Sequence, residues 1–277
     1  MRADPTRARR GFSLIELIIT LVLVSIIGLA AGRLLMSQTR FYTRLSAQRD
    51  ARSVTRNARN IVQTELAMVE AGGGVVAASN DSITVRVPYA WGVFCSAGTM
   101  MRLPVDSAMY AMATIAGYAI KDTTAAGAYV YTTTATAPTA GTATNCTTAV
   151  SITAPTNGAY LSLSPAPTGT AGAPMMLFQV ITYKFAASTL VPGKLGLYRR
   201  VGTGTPEELV APFDATAKFR FYDLNASTAQ TAVPTLTNIR GVEVQFNAQS
   251  IQRSSGQSSP ESSSITTAVF FRNRTDT

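Results

Sequence analysis

The feature that most constrains this chain is an apolar run from Phe12 to Gly32. These 21 residues read FSLIELIITLVLVSIIGLAAG, and Glu16 is the one ionisable side chain among them. As a helix, a run of this length spans about 30 Å, the thickness of the hydrocarbon core of a bilayer. Arg33 follows the run and Arg9–Arg10 precede it. The run predicts a membrane-spanning helix with an acidic group near its start.

The position of Glu16 separates three interpretations of this run. A secretory signal peptide cut near Ala30–Ala31 has an apolar core of about 7–15 residues, which is shorter than this one. A plain membrane anchor fits the length but gives the carboxylate no purpose. An acid within a span costs about 2–3 kcal/mol at the centre and less near an end, so it usually has a partner. The third interpretation supplies that partner.

The segment resembles the N-terminus of type IV prepilins, which type IV pilins and the pseudopilins of type II secretion share. The similarity lies in a basic leader that ends in Gly11, then Phe12, then SLIELIITLVLVSIIGLA, with Glu16 as the fifth residue counted from Phe12. The resemblance implies that a prepilin peptidase cleaves between Gly11 and Phe12 and methylates the new amine of Phe12. It also implies that Glu16 meets the amine of a neighbouring subunit during assembly.

The resemblance further implies where the parts of the chain lie and what they bind. Residues 1–11 form the leader, 12–32 the transmembrane and assembly helix, and 33–72 the periplasmic half of the same helix. The implied location is the bacterial inner membrane, with the globular domain in the periplasm, and later a pilus or pseudopilus. The implied partners are the prepilin peptidase and other minor and major pilins or pseudopilins.

The helix is predicted to continue past the membrane, over 12–70, because neither Pro nor Gly occurs between Gly32 and Gly72. Apolar residues recur there at three- and four-residue steps and form one stripe: Ala47, Ala51, Val54, Ala58, Ile61, Val62, Leu66 and Val69. A second face carries Arg49, Arg52, Arg56 and Arg59. These arginines are compatible with a solvated face, with salt bridges to neighbouring subunits, or with a nucleic-acid contact.

Residues 73–277 are predicted to form a β-rich globular domain. Strand patterns with one apolar and one polar face indicate antiparallel sheet. They occur at 82–87, 176–185, 194–201, 217–224, 241–248 and 265–273. Pro192-Gly193 predicts a hairpin between the second and third of these, and GTGTPEE at 202–208 predicts a turn. Packing of the sheet on the helix stripe predicts an α+β fold.

The segment 122–174 is rich in Thr, Ala, Gly and Pro, which is compatible with a flexible insertion or with a β-ribbon. It contains Cys146, and Cys95 is the only other cysteine. In an oxidising compartment the two can form a disulfide, which would tether the insertion to the sheet. The alternative is two unrelated buried thiols. A bridge that closes such a loop contributes about 4 kcal/mol in the chain-entropy model.

Composition limits the possible chemistry. The chain has no histidine, so a Ser–His–Asp or Cys–His nucleophile is impossible and the commonest zinc ligand is missing. We expect no metal, no cofactor and no enzymatic activity. The net charge is +9, but residues 71–277 contribute only +3, which gives no general case for nucleic-acid binding.

Residues 175–272 resemble, more loosely, the later part of minor pilins and pseudopilins of the W/J type. This implies a low-copy subunit near the filament tip, although the insertion and the overall size depart from that pattern. The sequence therefore predicts a minor pilin or pseudopilin of a type IV pilus or type II secretion pseudopilus. The alternatives are a tip adhesin, a DNA-uptake subunit and a membrane-anchored protein that never polymerises.

Overall fold

A long helix, α1, begins the part of the chain that a computed structural model describes, namely residues 13–111, 113–121, 128–254 and 256–272. Helix α1 comprises the 53 residues Leu14–Leu66. The Ser13 hydroxyl caps its N-terminus by accepting a hydrogen bond from the Glu16 amide at 3.2 Å. The observed helix ends before residue 70, where the predicted helix ended. The reason is that Val69 and Ala71 form backbone hydrogen bonds with Arg272 instead of continuing the helix.

The globular part consists of antiparallel strands with two further short α-helices. The strands are β1 (Val75–Ala78), β2 (Ser82–Phe94), β3 (Thr99–Arg102), β4 (Gly117–Lys121), β5 (Tyr129–Thr133), β6 (Thr139–Ala140), β7 (Ala159–Ser162), β8 (Pro174–Ala187), β9 (Leu195–Val201), β10 (Glu207–Phe213), β11 (Lys218–Asp223), β12 (Ile239–Gln249) and β13 (Ser262–Phe270). The helices are α2 (Ser107–Ala111) and α3 (Ala143–Val150), and a 3₁₀ turn covers Leu236–Asn238.

The longest strands, β2 and β8, form the centre of the sheet and pair along most of their length. On its other side, β8 pairs with β9 over Ile181–Ala187 and with β4 over Met175–Phe178. Strand β12 pairs with both β11 and β13. The predicted hairpin between the second and third strand patterns is confirmed as β8–β9, and Gly193 in its turn has φ 77°, which favours glycine.

One predicted turn is wrong in part. Glu207 and Glu208 do not belong to it but begin β10, where they pair with Arg199 and Tyr198 of β9. The reason is a tertiary contact, because the Glu208 carboxylate accepts hydrogen bonds from the β8–β9 turn and fixes β10 beside it. Strands β3 and β4 had no sequence pattern that predicted them.

The segment 122–174 contains helix α3 as well as strands β5, β6 and β7. Neither predicted alternative included a helix. The residues 122–127 lie outside the described part of the chain. From 128 onward the segment extends the sheet, since β7 pairs with β3 and β5 pairs with β4.

The main core lies between the C-terminal half of α1 and one face of the sheet. Six of the predicted stripe residues are buried, Val54 and Ile61 are partly buried against them, and Thr55 is buried as well. The sheet contributes inward-facing residues such as Phe219, Val244 and Phe246. Burial of each large apolar side chain contributes about 1.5–3 kcal/mol. The predicted α+β arrangement of a long helix on an antiparallel sheet is confirmed.

Candidate assembly site at the N-terminus

Glu16 lies in the first turn of α1, three residues after the capping Ser13. The pair has the spacing of a capping box, a signal that the sequence analysis overlooked. A carboxylate at this position also interacts favourably with the helix dipole, by about 0.3–1 kcal/mol. The Glu16 side chain is exposed and forms no hydrogen bond or ion pair with the residues that the structure describes. Local capping therefore leaves its carboxylate available to a partner.

The helix around Glu16 presents apolar side chains in every direction. An 18-residue window of α1 has a mean hydropathy of 2.7, and none of that window is buried by the rest of the chain. Leu14, for example, is 80% exposed. A helix that is apolar all round and uncovered requires an apolar surrounding, which a bilayer or a bundle of similar helices provides. The helix is long and apolar enough to cross a membrane.

The other polar side chains in this segment are satisfied within the helix. Thr20 Oγ1 donates to the carbonyl of Leu17 at 2.9 Å, and Ser25 Oγ donates to that of Leu21 at 2.8 Å. Such bonds to the preceding turn allow hydroxyls to enter an apolar phase at low cost. Glu16 therefore differs from its neighbours, since its charge has no counterpart in the same helix.

The C-terminal half of α1 is fixed to the sheet by polar contacts as well as by the core. Arg199 Nη2 lies 2.8 Å from Glu65 Oε1, and the Tyr183 hydroxyl donates to Glu65 Oε2 at 2.5 Å. Burial, together with the neighbouring Glu65 carboxylate, raises the pKa of Tyr183 above its ordinary value. The tyrosine therefore stays a neutral donor, and these contacts join the C-terminal half of α1 to β8 and β9.

The structure places the other predicted site residues as follows. Cys95 and Cys146 are both fully buried and form a disulfide with a Cα–Cα distance of 4.7 Å. The bridge joins the end of β2 to α3, where Asn145 Nδ2 also donates to Thr99 Oγ1 at 2.8 Å. The predicted cleavage residues Gly11 and Phe12 lie outside the described residues. Within the described part of the chain, no group of three His, Cys, Asp or Glu side chains is arranged to hold a metal ion.

Comparison with known proteins gives one finding at this same segment. Residues 6–32 match the family model of the prokaryotic N-terminal methylation motif. No curated protein and no solved structure matches the chain. The match contains Gly11, Phe12 and Glu16, and it supports a type IV pilin-like precursor that is processed by prepilin peptidase. Together with the apolar helix, it fits a membrane-anchored protein.

Proposed function

We propose that the chain is a minor pilin or pseudopilin subunit that enters a type IV pilus or type II secretion pseudopilus through α1. The observation that supports this most is a single one: an uncovered apolar helix, whose first turns belong to a methylation motif, carries one carboxylate there without a counter-charge among the described residues. In this proposal prepilin peptidase cleaves between Gly11 and Phe12 and methylates Phe12. The mature helix then packs beside those of other pilins or pseudopilins.

The charge on Glu16 has a defined task in this assembly. Cleavage creates a cationic amine at Phe12, four residues before Glu16 at the edge of an apolar segment. When helices pack side by side, both charges leave water, and their attraction in a medium of low polarity is much stronger than in solution. The amine of one subunit and the carboxylate of the next then neutralise each other. A helix inserted out of register would leave both charges unpaired and is disfavoured.

The proposed location is the bacterial inner membrane, with the globular domain in the periplasm before assembly. The Cys95–Cys146 disulfide supports this orientation because disulfides persist in oxidising compartments. A place at or near the filament tip rests on the resemblance of residues 175–272 to minor subunits. The segment that contains β5–β7 and α3 extends the sheet. A subunit at the tip of a filament has space to expose such a segment.

Mass spectrometry of the mature N-terminus in the native cell tests the proposal. We expect the first residue to be N-methylated Phe12, because the motif at 6–32 contains the cleavage site. An intact Met1 would instead indicate an anchored protein that never polymerises, and a cut near Ala31 would indicate a secretory signal peptide; either result would refute the proposal.

Substitution of Glu16 tests the assembly step separately from processing. We expect Glu16→Gln to be cleaved and methylated normally but to be incorporated into filaments at least tenfold less, because the amine of its neighbour loses its counter-charge. Thr20→Val is the matched control, since the Thr20 hydroxyl is already satisfied by Leu17. Incorporation of the Glu16 variant at the control's level would refute the charge-pairing step.

A further inference from the structure

One flank of α1 carries a row of arginines that the proposed function does not use. The row, called here the arginine stripe, consists of Arg49, Arg52, Arg56 and Arg59. At 3.6 residues per turn these positions fall within an arc of about 80° around the helix axis. All four side chains are exposed, whereas the adjoining arc, which includes Ala51, Ala58 and Val62, is buried against the sheet.

The charges of the stripe are not neutralised within the described part of the chain. The structure there contains no carboxylate within ion-pair distance of any of the four guanidinium groups. Arg59 Nε donates only to the neutral amide oxygen of Gln63, at 3.1 Å. Water solvates such a stripe well in the free subunit, so it costs nothing until another surface covers it.

Where the domain itself covers a charge on α1, it supplies the opposite charge. Arg44 Nε lies 2.9 Å from Glu261 Oε1, before β13, and Glu65 lies 2.8 Å from Arg199 of β9. Both contacts are partly shielded from solvent. A guanidinium that is covered without such a partner loses its hydration with nothing to replace it, which disfavours the contact strongly. The same requirement applies to any second protein that packs on the outer flank of α1.

We propose that the arginine stripe binds a carboxylate-rich face of a different subunit in the same filament. This inference rests on the proposed function, because lateral packing of the N-terminal helices brings neighbouring subunits against the flank of α1 that the sheet leaves open. Four arginines over roughly 15 Å of helix require a row of Asp or Glu side chains of similar length. The stripe thereby selects the neighbour and sets its register along the axis.

The structure favours a different subunit over a second copy of this chain. The exposed carboxylates in the described ranges form no row: Glu16 and Asp50 lie about 50 Å apart along α1, and Asp81, Asp106 and Glu207 lie on other segments. A protein partner is also favoured over nucleic acid. The exposed side chains on the flank next to the stripe include Ser53, Asn57 and Asn60, which offer no aromatic surface on which bases stack.

Charge reversal in full-length protein, in cells that assemble the filament, tests the inference. We expect R52E/R56E/R59E to be methylated at Phe12 as normal but to enter filaments at least tenfold less. The charge-preserving variant R52K/R56K/R59K should stay within about threefold of the unaltered chain. The control R200E/R253E reverses two exposed cations elsewhere on the domain, neither of which has a carboxylate within ion-pair distance among the described residues, and it should assemble normally. Normal assembly of the first variant overturns the inference.

A photo-crosslinking side chain at the exposed Asn60, one helical turn after Arg56 at the edge of the stripe, identifies what covers the stripe with all four arginines intact, and it does not depend on the folding of a charge-reversed variant. We expect an adduct with another subunit at a peptide that contains several Asp or Glu residues. An adduct with a second copy, with nucleic acid or with a peptide that lacks carboxylates overturns the inference, as does the absence of any adduct. An unprocessed N-terminus would refute the proposed function instead, so the two failures are distinguishable.

Discussion

At the scale of single residues, this molecule uses carboxylates in two different ways. Glu208 accepts hydrogen bonds from the Thr189 amide at 2.8 Å and the Thr189 hydroxyl at 2.6 Å, and the Ser188 hydroxyl donates to its other oxygen. Glu16, in contrast, is exposed and has no such donors among the described side chains. Glu208 is therefore a structural acid, whereas Glu16 has the properties of a group whose partner comes from outside the chain.

The pH dependence of the free energy of unfolding should reveal the structural role of Glu208. Burial raises the pKa of Glu208, but hydrogen bonds from Ser188, Thr189 and Tyr198 outweigh burial and lower that pKa from 4.5 to about 2. Because the folded-state value is the lower one, the stabilisation is complete above about pH 5 and is lost as the pH falls towards 2. We expect Glu208→Gln to reduce the free energy of unfolding by about 1–2 kcal/mol at pH 7.

Chemical unfolding of the detergent-solubilised chain between pH 7 and pH 2 measures this effect. The difference between the original chain and Glu208→Gln should shrink as the pH approaches 2, because the original carboxylate is then becoming protonated. Glu207→Gln is the matched control, since Glu207 is exposed at the adjacent position. A constant difference across the range would exclude the hydrogen-bonded carboxylate as its source.

At the scale of elements, helices and strands with long periodic patterns were predictable from the sequence. Short elements, and elements held by specific side-chain hydrogen bonds, were not. The α1 stripe and the alternating strands β11 and β12 follow directly from residue spacing, because each buries one continuous apolar face. Strand β10 was not predicted, and the hydrogen bonds to Glu208 at its start come from residues about 20 positions earlier, which a local pattern does not contain. Helix α3 has weak helix formers, including four threonines within or beside it, and is fixed by tertiary contacts that a local pattern does not contain.

The candidate site shows the same division. The methylation motif at 6–32 was recognisable because it is local and fixed in spacing, whereas the roles of Gly11, Phe12 and Glu16 stay predictions. Thr55 is buried although the apolar pattern of the sequence did not include it. Its hydroxyl donates to the Arg52 carbonyl at 2.9 Å, and this hydrogen bond offsets the cost of removing the hydroxyl from water. The sequence alone could not predict that the arginine stripe is exposed, because only the position of the sheet shows which flank of α1 is covered.

The two halves of α1 should respond differently to the same substitution. Leu66 is fully buried in the helix–sheet core, whereas Leu35 of the same helix is 63% exposed. We expect Leu66→Ala to lower the free energy of unfolding of the domain by about 2–5 kcal/mol, because it leaves a cavity under the helix. Leu35→Ala should change it by less than about 0.5 kcal/mol. Thermal and chemical unfolding of the solubilised chain measure both, and equal effects would contradict a helix whose halves differ in burial.

At the scale of the whole molecule, two cores share one sheet. The larger lies under α1, and a smaller one surrounds Met100, Tyr118 and Leu177 near the added segment. The disulfide lies beside this second core, in a cluster of its own with Met101. The cluster under α1 is therefore distinct from the one beside the added segment, although β2 and β8 contribute residues to both. Changes in the added segment should leave the cluster under α1 intact.

Removal of the disulfide tests this separation directly. Cys95→Ser/Cys146→Ser releases α3 from the end of β2, and the chain-entropy model gives a loss of about 4 kcal/mol for a loop of this size. Because the cluster around the bridge is small, we expect the loss to appear as local opening of 143–162, with faster amide hydrogen exchange there. Peptides from β12 and β13 in the same samples are the internal control and should exchange at an unchanged rate. Faster exchange across β12, β13 and α1 together would mean that the chain unfolds as one unit. In that case the added segment would stabilise the cluster under α1.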